Sequence, residues 1–429
     1  PFEDDAKRFA FFSKCVCELL LNFEEFKEIN VLHNHDWHTG VILILLNLCE
    51  QYKTINQKFR KIFTIHNLDY QGVRPFYDTQ YNELTSFESW FPDLYKRISK
   101  TKLYSLIKAP KIFYPCFNPM RAGINLSDFV NTVSPSYSKE ITEKDDISKN
   151  FFGGRGLEGD LKKIFKKGKL LGILNGIDYE ENNPRKLNPP IDWDIPNGLE
   201  NKQVHKKDLI SNLPTYLENI YNKQKDKFVN WDSISDKLKD YNKDKFIDLP
   251  LYVTVSRVVT QKLGILLEKY DKSIVIDQIK NKKMLFILIG TGELQEKLEF
   301  LNNFENVFYI AAYDTNFADR LYHSGDFFLM PSYFEPCGIS QLISLRYGTL
   351  PIVNNIGGLK DTVTHMETGF VFDGKNKDAI KKSFIKSITD TIDIFNTDKQ
   401  KIIEMQQNAM KKRFDWESAI KEYIRIYSL

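Results

Sequence analysis

Residues 29–65 read INVLHNHDWHTGVILILLNLCEQYKTINQKFRKIFTI. Ile29–His33 is a short β-branched apolar run that predicts a buried strand, His38–Cys49 predicts a helix, and Lys61–Ile65 predicts a second strand. Strand–helix–strand order makes the sheet parallel and the fold class α/β, because parallel neighbours need a crossover. Working outward, Arg8-Phe9-Ala10-Phe11-Phe12 through Leu21 predicts an amphipathic helix. Beyond an irregular stretch, Tyr70–Glu88, and a helical one, Ser89–Lys108, Phe129–Val133 predicts a further strand. It runs into Ser134-Pro135, a helix start with proline at the first helical position.

The same alternation returns from Pro250. Strands are expected at Leu251–Val255, Lys283–Ile289, Val307–Ile310, Asp326–Met330 and Leu350–Val353, with helices from Thr260, from Glu293, after Cys337 and at the C-terminus. The chain therefore reads as two doubly wound, Rossmann-like lobes facing a central cleft. The first covers residues 1–183 and the second 250–413, with a terminal helix over 414–429 returning to the first lobe. Between them, 184–249 holds Pro184, Pro189, Pro190 and Pro196, then a Lys/Asn/Asp-rich run such as Asn222–Lys227. That composition predicts a linker followed by a solvated surface insertion without chemistry. No repeat of solenoid period is visible.

Composition agrees with this division. A chain of 429 residues suits two or three domains, and 42% hydrophobic content supplies a sizeable core. Sixty Lys+Arg against 57 Asp+Glu leave a net charge of +3, too balanced for a nucleic-acid or anionic-membrane partner. The five cysteines form no CxxC pair and no zinc-like Cys/His spacing, as expected for a reducing compartment such as plastid or cytoplasm. The longest apolar run, from Val41 to Leu48, is far short of the ~20 residues of a membrane helix. The sequence begins at Pro1 with no leader pattern, so any targeting segment is expected upstream.

In open α/β sheets ligands sit beyond the carboxyl ends of the strands. Polar clusters fall there repeatedly: His33–His38, Thr64–Asn67, Asn175–Asp178, Ser256-Arg257, Gly290-Thr291-Gly292 and Pro331–Gly338. His33, His35, Asp36 and His38 suit a metal, a capped helix start or hydrogen bonds to sugar or phosphate, with His35 the direct contact in the last case. Arg257 and Lys262, five residues apart across a strand end and the next helix, suit a diphosphate or surface salt bridges. Gly290-Thr291-Gly292 fits a phosphate turn or a plain tight turn.

Phe334-Glu335-Pro336-Cys337-Gly338-Ile339-Ser340-Gln341 says more. Phe334, Pro336 and Cys337 wall off Glu335, and the amides of Gly338, Ile339 and Ser340 open a helix whose N-terminus favours an anion. A carboxylate beside such an end suits a sugar nucleotide; the alternative is a glutamate stabilised by the helix dipole. Cys337 is a nucleophile at a helix start or a packing residue, and no His–Asn or His–Asp pair accompanies it. Gly357 and Gly358 let backbone approach a ligand, or simply make a β-to-α turn.

Taken together the motifs resemble bacterial glycogen synthases and plant starch synthases, retaining glucosyltransferases with two Rossmann-like lobes (the GT-B fold). The resemblance runs through Arg8–Ser13, His35-Asp36-Trp37-His38-Thr39, Thr64–Asn67, Tyr70-Gln71-Gly72, Asn131–Pro135, Gly172–Asp178, Arg257 with Gln261-Lys262, Pro331–Gly338, Arg346-Tyr347-Gly348 and Gly357–Val363. It implies glucose transfer from ADP-glucose or UDP-glucose to the non-reducing end of an α-1,4-glucan, without a metal or other cofactor, and with no nucleic-acid or membrane partner. The alternative it leaves is a weak or silent relative that binds glucan or a partner enzyme. By motif position, Arg257 and Lys262 would hold the diphosphate, His35 would meet the donor glucose and Glu335 would bind its hydroxyls. The amides of Gly338, Ile339 and Ser340 would cap the distal phosphate, with Cys337, Gly357 and Gly358 beside them. Tyr313 would lie against the base, and Asn175 would line the cleft.

Two departures from the family pattern stand out. The opening strand with its Lys-x-Gly-Gly-Leu loop is absent from these residues, so an incomplete first lobe and weak transfer are expected. The 190–249 stretch is also longer and richer in Lys and Asn than the usual link.

Overall fold

Leu285–Ile289 is buried at all five positions, the signature of a strand covered on both faces, and it lies inside a wholly parallel sheet. The structure is a computed structural model that describes residues 4–78, 85–98, 100–110, 112, 114–280 and 282–428. Part of the expected irregular stretch, residues 79–84, and residue 99 of the helical one lie outside the described residues. The chain divides into two compact units. One holds residues 1–146, 152–174 and 419–429; the other holds 147–151 and 175–418.

The first unit carries four parallel strands in chain order: β1 (Val31–His35), β2 (Arg60–Ile65), β3 (Phe129–Thr132) and β4 (Leu170–Gly172). Register pairs His35 with Thr64, and Ile65 with Thr132, so the carboxyl ends of these strands are level. Strand β1 starts two residues later than expected and runs through His35. The helix after it, Asp36–Leu48, is buried continuously from Gly40 to Leu46, which explains why its sequence lacks a polar face. Ser134 caps the helix Pro135–Glu140, its hydroxyl accepting the Tyr137 amide at 3.2 Å, as the Ser-Pro pair predicted. The expected helical stretch after Ser89 is broken into short helices, Phe87–Trp90, Pro92–Ile98 and Lys102–Ile107. From the C-terminal helix Trp416–Ser428, Ala419 and Ile426 are buried with Ile62 and Ile173.

The second unit holds β5 (Leu251–Val255), β6 (Leu285–Ile289), β7 (Val307–Ile310), β8 (Phe327–Met330), β9 (Leu350–Asn354) and β10 (Phe370–Phe372), all parallel. Their spatial order is β7-β6-β5-β8-β9-β10. The winding reverses between β5 and β8, and ligands of such sheets bind outside the carboxyl ends at that switch point. Arg257 follows β5, and Glu335 follows β8.

Two expectations about domain layout change. Residues 175–183 belong with the second unit, because Ile177 pairs with Asp415 and the Tyr179 hydroxyl bonds Phe414 and Lys412. The 184–249 segment is no solvated insertion. Its helices Gly198–Ser211, Leu213–Lys223 and Trp231–Lys239 place Leu209, Leu213, Leu217, Ile220 and Ile234 in one core with Val253, Ile287 and Phe308. Each such side chain contributes about 1.5–3 kcal/mol of burial. Their helical spacing was masked by the lysines around them. Two of those lysines are themselves buried: Lys206 pairs with Asp326 at 2.6 Å, and Lys202 donates to Thr349 Oγ1 at 2.6 Å and to the His323 carbonyl at 2.9 Å.

Candidate active site

At the switch point of the second unit two loops are laced together by backbone. The Tyr333 amide donates to the Gln261 carbonyl at 2.9 Å, and Gln261 Nε2 donates to the Phe334 carbonyl at 3.0 Å. This brings the start of the helix Thr260–Leu267 against the Pro331–Gly338 loop and sets Lys262 on Glu335 in an ion pair. Glu335 is buried, and Ser332 Oγ donates to the same carboxylate oxygen at 3.2 Å. Arg257 is exposed, and among the described residues no carboxylate meets its guanidinium. Of this cation pair, Lys262 is held in an ion pair and Arg257 is not. A free guanidinium and a shielded ammonium stand at one strand end.

Glu335 and Lys262 were expected to serve separate parts of a ligand, and the structure pairs them with each other. Gly358 donates its amide to the Glu335 carbonyl at 3.0 Å, and a Cβ there would sit 2.3 Å from the Cys337 carbonyl oxygen. The close approach that Gly358 permits is thus to the Cys337 loop. Gly357, with φ of 41°, opens the helix Gly357–Thr362. Burial pushes the Cys337 thiol up to about 12, only partly offset by the hydrogen bond from the Asn175 backbone, so this cysteine is a protonated packing group. Asn175 is by the same bond brought to the Glu335 loop. Gly338 adopts φ of 79°, and Ile339 caps the helix Ser340–Arg346, so the three expected amides lie at that helix start. Tyr313 is 66% exposed in the loop after β7. The Gly290 turn has a structural cause: a Cβ there, at φ of 153°, would lie 1.8 Å from the Ser256 carbonyl oxygen.

In the first unit His33 and His35 share a face of β1 and stack, ring centroids 4.2 Å apart, while His35 Nδ1 lies 2.9 Å from His66 Nε2. Asp36, at φ of 54°, holds the His66 amide at 2.8 Å, which fixes the end of β2 beside the end of β1. Burial pushes the Asp36 carboxyl up to about 6 against those amide bonds and the His38 charge. Thr64 Oγ1 donates to Asn131 Oδ1 at 2.7 Å, so it accepts from His33 Nε2 at 2.6 Å. His33 Nδ1 is then the acceptor for the Tyr427 hydroxyl at 2.7 Å. Burial, together with the charges of His35 and His66, pushes His33 down to about 3 and keeps it neutral. Thr64 and Asn131 fall in motifs the sequence singles out, but Tyr427 carries no sequence signal, since it lies 394 residues from its partner. Among the described residues no group of three or more His, Cys, Asp or Glu is placed to hold a metal ion.

The family profile described as the starch synthase catalytic domain matches residues 1–163, and that of glycosyl transferases group 1 matches 237–409. Glycogen synthase of Thermodesulfovibrio yellowstonii is 34% identical over 439 residues, covering 99% of this chain and 73% of that protein. The chain belongs to the glycogen/starch synthase family. Glycogen synthase of Clostridioides difficile is 33% identical, covering 99% of this chain and 77% of its own length. Among solved structures, the catalytic domain of Arabidopsis thaliana starch synthase IV, bound to ADP and acarbose, matches with TM-score 0.75 and 26% identity. It covers all of this chain and 78% of that one. Sucrose-phosphate synthase of Thermosynechococcus elongatus, at 14% identity and TM-score 0.52, shares the fold. As a member of the glycogen/starch synthase family the protein is a hexosyltransferase with the GT-B fold. No helix among the described residues is long and apolar enough to cross a membrane.

Proposed function

We propose that this protein transfers glucose from a nucleoside diphosphate sugar, ADP-glucose or UDP-glucose, to the 4-hydroxyl at a non-reducing end of an α-1,4-glucan, with retention. The carrying observation is the pairing of Lys262 with Glu335 at the switch point, beside the unpaired Arg257. Breaking the bond from glucose C1 to the phosphate oxygen puts negative charge on the departing diphosphate. Cations already fixed where that charge develops stabilise the transition state without reorganisation, an effect worth ~10²–10³ in rate per group. Arg257 presents the fork that suits two phosphate oxygens, and Lys262 the point charge.

In this reading Glu335 accepts hydrogen bonds from the sugar hydroxyls while its charge holds Lys262 ready. The amides of Gly338, Ile339 and Ser340 take the distal phosphate, with Cys337, Gly357, Gly358 and Asn175 shaping their loops, and Tyr313 takes the base. His35, held by stacking on His33 and by His66, is the imidazole offered to the transferred glucose. The acceptor oxygen bonds to C1 on the face the phosphate leaves, and its proton passes to the departing phosphate oxygen. The reaction so written needs no metal or other cofactor. Relatives named glycogen synthase and a neighbour holding ADP and acarbose support the substrate classes. The test is incorporation of labelled glucose from each donor into glycogen by the wild type and by Arg257→Ala. Transfer that the variant retains in full would remove Arg257 from the site.

A further inference from the structure

The 184–249 segment shares its apolar core with Ala312, and it reaches the loop that carries Tyr313 through hydrogen bonds as well. β7 is the edge strand of its sheet. Its open side is covered by two side-chain amides that copy a neighbouring strand. Asn302 accepts the Tyr309 amide at 2.8 Å and donates to the Tyr309 carbonyl at 3.0 Å. One step further, buried Asn230 donates to the Tyr309 carbonyl at 2.8 Å and accepts the Ala311 amide at 3.0 Å. The Val229 amide then donates to the Ala311 carbonyl at 3.3 Å, and Gln224 Nε2 donates to the Tyr313 carbonyl at 2.8 Å. On the far side Asp314 caps the helix Thr315–Ser324 by accepting the Phe317 amide at 2.8 Å.

Backbone on both sides of Tyr313 is therefore tied down, at the amide and carbonyl of Ala311 and at the carbonyls of Tyr313 and Asp314, while its ring stays 66% exposed. A pinned backbone under an exposed aromatic ring is a preformed platform, because the ordering cost of the loop is met before a ligand arrives. Sequence composition had given this segment no role, since its Lys-rich surface hides the two amides that matter.

We propose that Gln224 and Asn230 are positioning residues for the Tyr313 loop, and that the 184–249 segment thereby sets the affinity of the second unit for the nucleoside diphosphate. This rests on the reading of Tyr313 as the base contact. Loss of the Gln224 bond frees the Tyr313 carbonyl; the ring remains, but its position must be found on binding. Transfer chemistry is untouched, because neither amide is placed on the diphosphate or the sugar.

Gln224→Ala and Gln224→Glu test it, the second keeping size and removing the donor, with Tyr313→Ala alongside and thermal melts to confirm folding. Binding of ADP by calorimetry and steady-state kinetics with ADP-glucose are the readouts. Both Gln224 variants are expected to weaken ADP and raise donor KM about five- to tenfold, the size of one lost hydrogen bond, with kcat within twofold and glycogen KM unchanged. Tyr313→Ala weakening ADP while both Gln224 variants bind it normally overturns the positioning role and leaves the base contact standing. ADP binding that is indifferent to Tyr313→Ala overturns both together. A fall in kcat with KM unchanged in the Gln224 variants also overturns it.

Discussion

The ammonium of Lys262 rests on the carboxylate of Glu335, joining the loop after β8 to the helix after β5. Both groups are largely shielded, with 15% and 7% of their side chains exposed, so each offsets the cost of burying the other. Lys262→Ala removes the cation proposed to meet the leaving group and leaves Glu335 uncompensated. We expect kcat to fall by ~10²–10³-fold, measured as glucose transfer to glycogen. Lys223→Ala, exposed at the end of the helix Leu213–Lys223, should stay within twofold. Equal losses would remove Lys262 from the site.

Tyr427→Phe deletes the hydroxyl that donates to His33 Nδ1. The expected stability loss is about 1 kcal/mol, a single hydrogen bond, read as a lower melting temperature. Activity should fall more than Tyr423→Phe lowers it, because the hydroxyl of Tyr423 meets Asn131 at 3.4 Å, whereas that of Tyr427 bonds a histidine ring nitrogen at 2.7 Å. Equal activity in both variants would separate the C-terminal helix from the histidine stack.

Lys206→Met leaves Asp326 as a buried charge without its partner, both side chains being 1% exposed. The expected destabilisation is about 3–5 kcal/mol, measured by denaturant unfolding. A variant as stable as wild type would show that Asp326 is satisfied by the Leu251 amide, at 2.8 Å, and Gln203 Nε2, at 3.4 Å, without the lysine.

Acid should weaken the fold through histidines held neutral. Burial pushes His33 and His323 down to about 3, with neighbouring positive charges acting in the same direction. Below the ordinary value of about 6.5 the unfolded chain binds protons that the folded one refuses, so stability falls as pH drops from 6.5 toward 3. The slope approaches about 1.4 kcal/mol per pH unit for each group. Asp36, pushed up to about 6, binds its proton earlier in the folded state and offsets one such group between pH 6 and 3.8. Melting temperatures at pH 7 and 5 should therefore decline, and less steeply in His323→Gln. An unchanged slope in that variant would contradict the assignment.

Much of this was legible in the sequence because apolar strand runs and the loops after them obey local rules. β5 through β9 fall where alternation placed them, and the Pro331–Gly338 loop stands at the switch point of its sheet. The helices of 184–249 were not legible, because Leu209, Leu213, Leu217 and Ile220 recur at helical spacing beneath a charged surface. Their partners on the sheet come only with the tertiary fold. Nor was the bond between Lys262 and Glu335, whose residues lie 73 positions apart. Sequence distance also hid Tyr427 from His33, and Asn230 from Ala311. Side-chain amides that imitate a strand leave no periodic trace.

The most direct test supplies labelled ADP-glucose and UDP-glucose, separately, to the wild type and Lys262→Ala with glycogen as acceptor. Label is then released by an exo-acting α-1,4-glucan hydrolase. Expected are transfer from one of these donors by the wild type, recovery of that label in the released sugar, and its near-complete loss in Lys262→Ala. Wild-type protein that binds ADP yet transfers no glucose from either donor, or transfer that persists undiminished in Lys262→Ala, would contradict the proposed reaction.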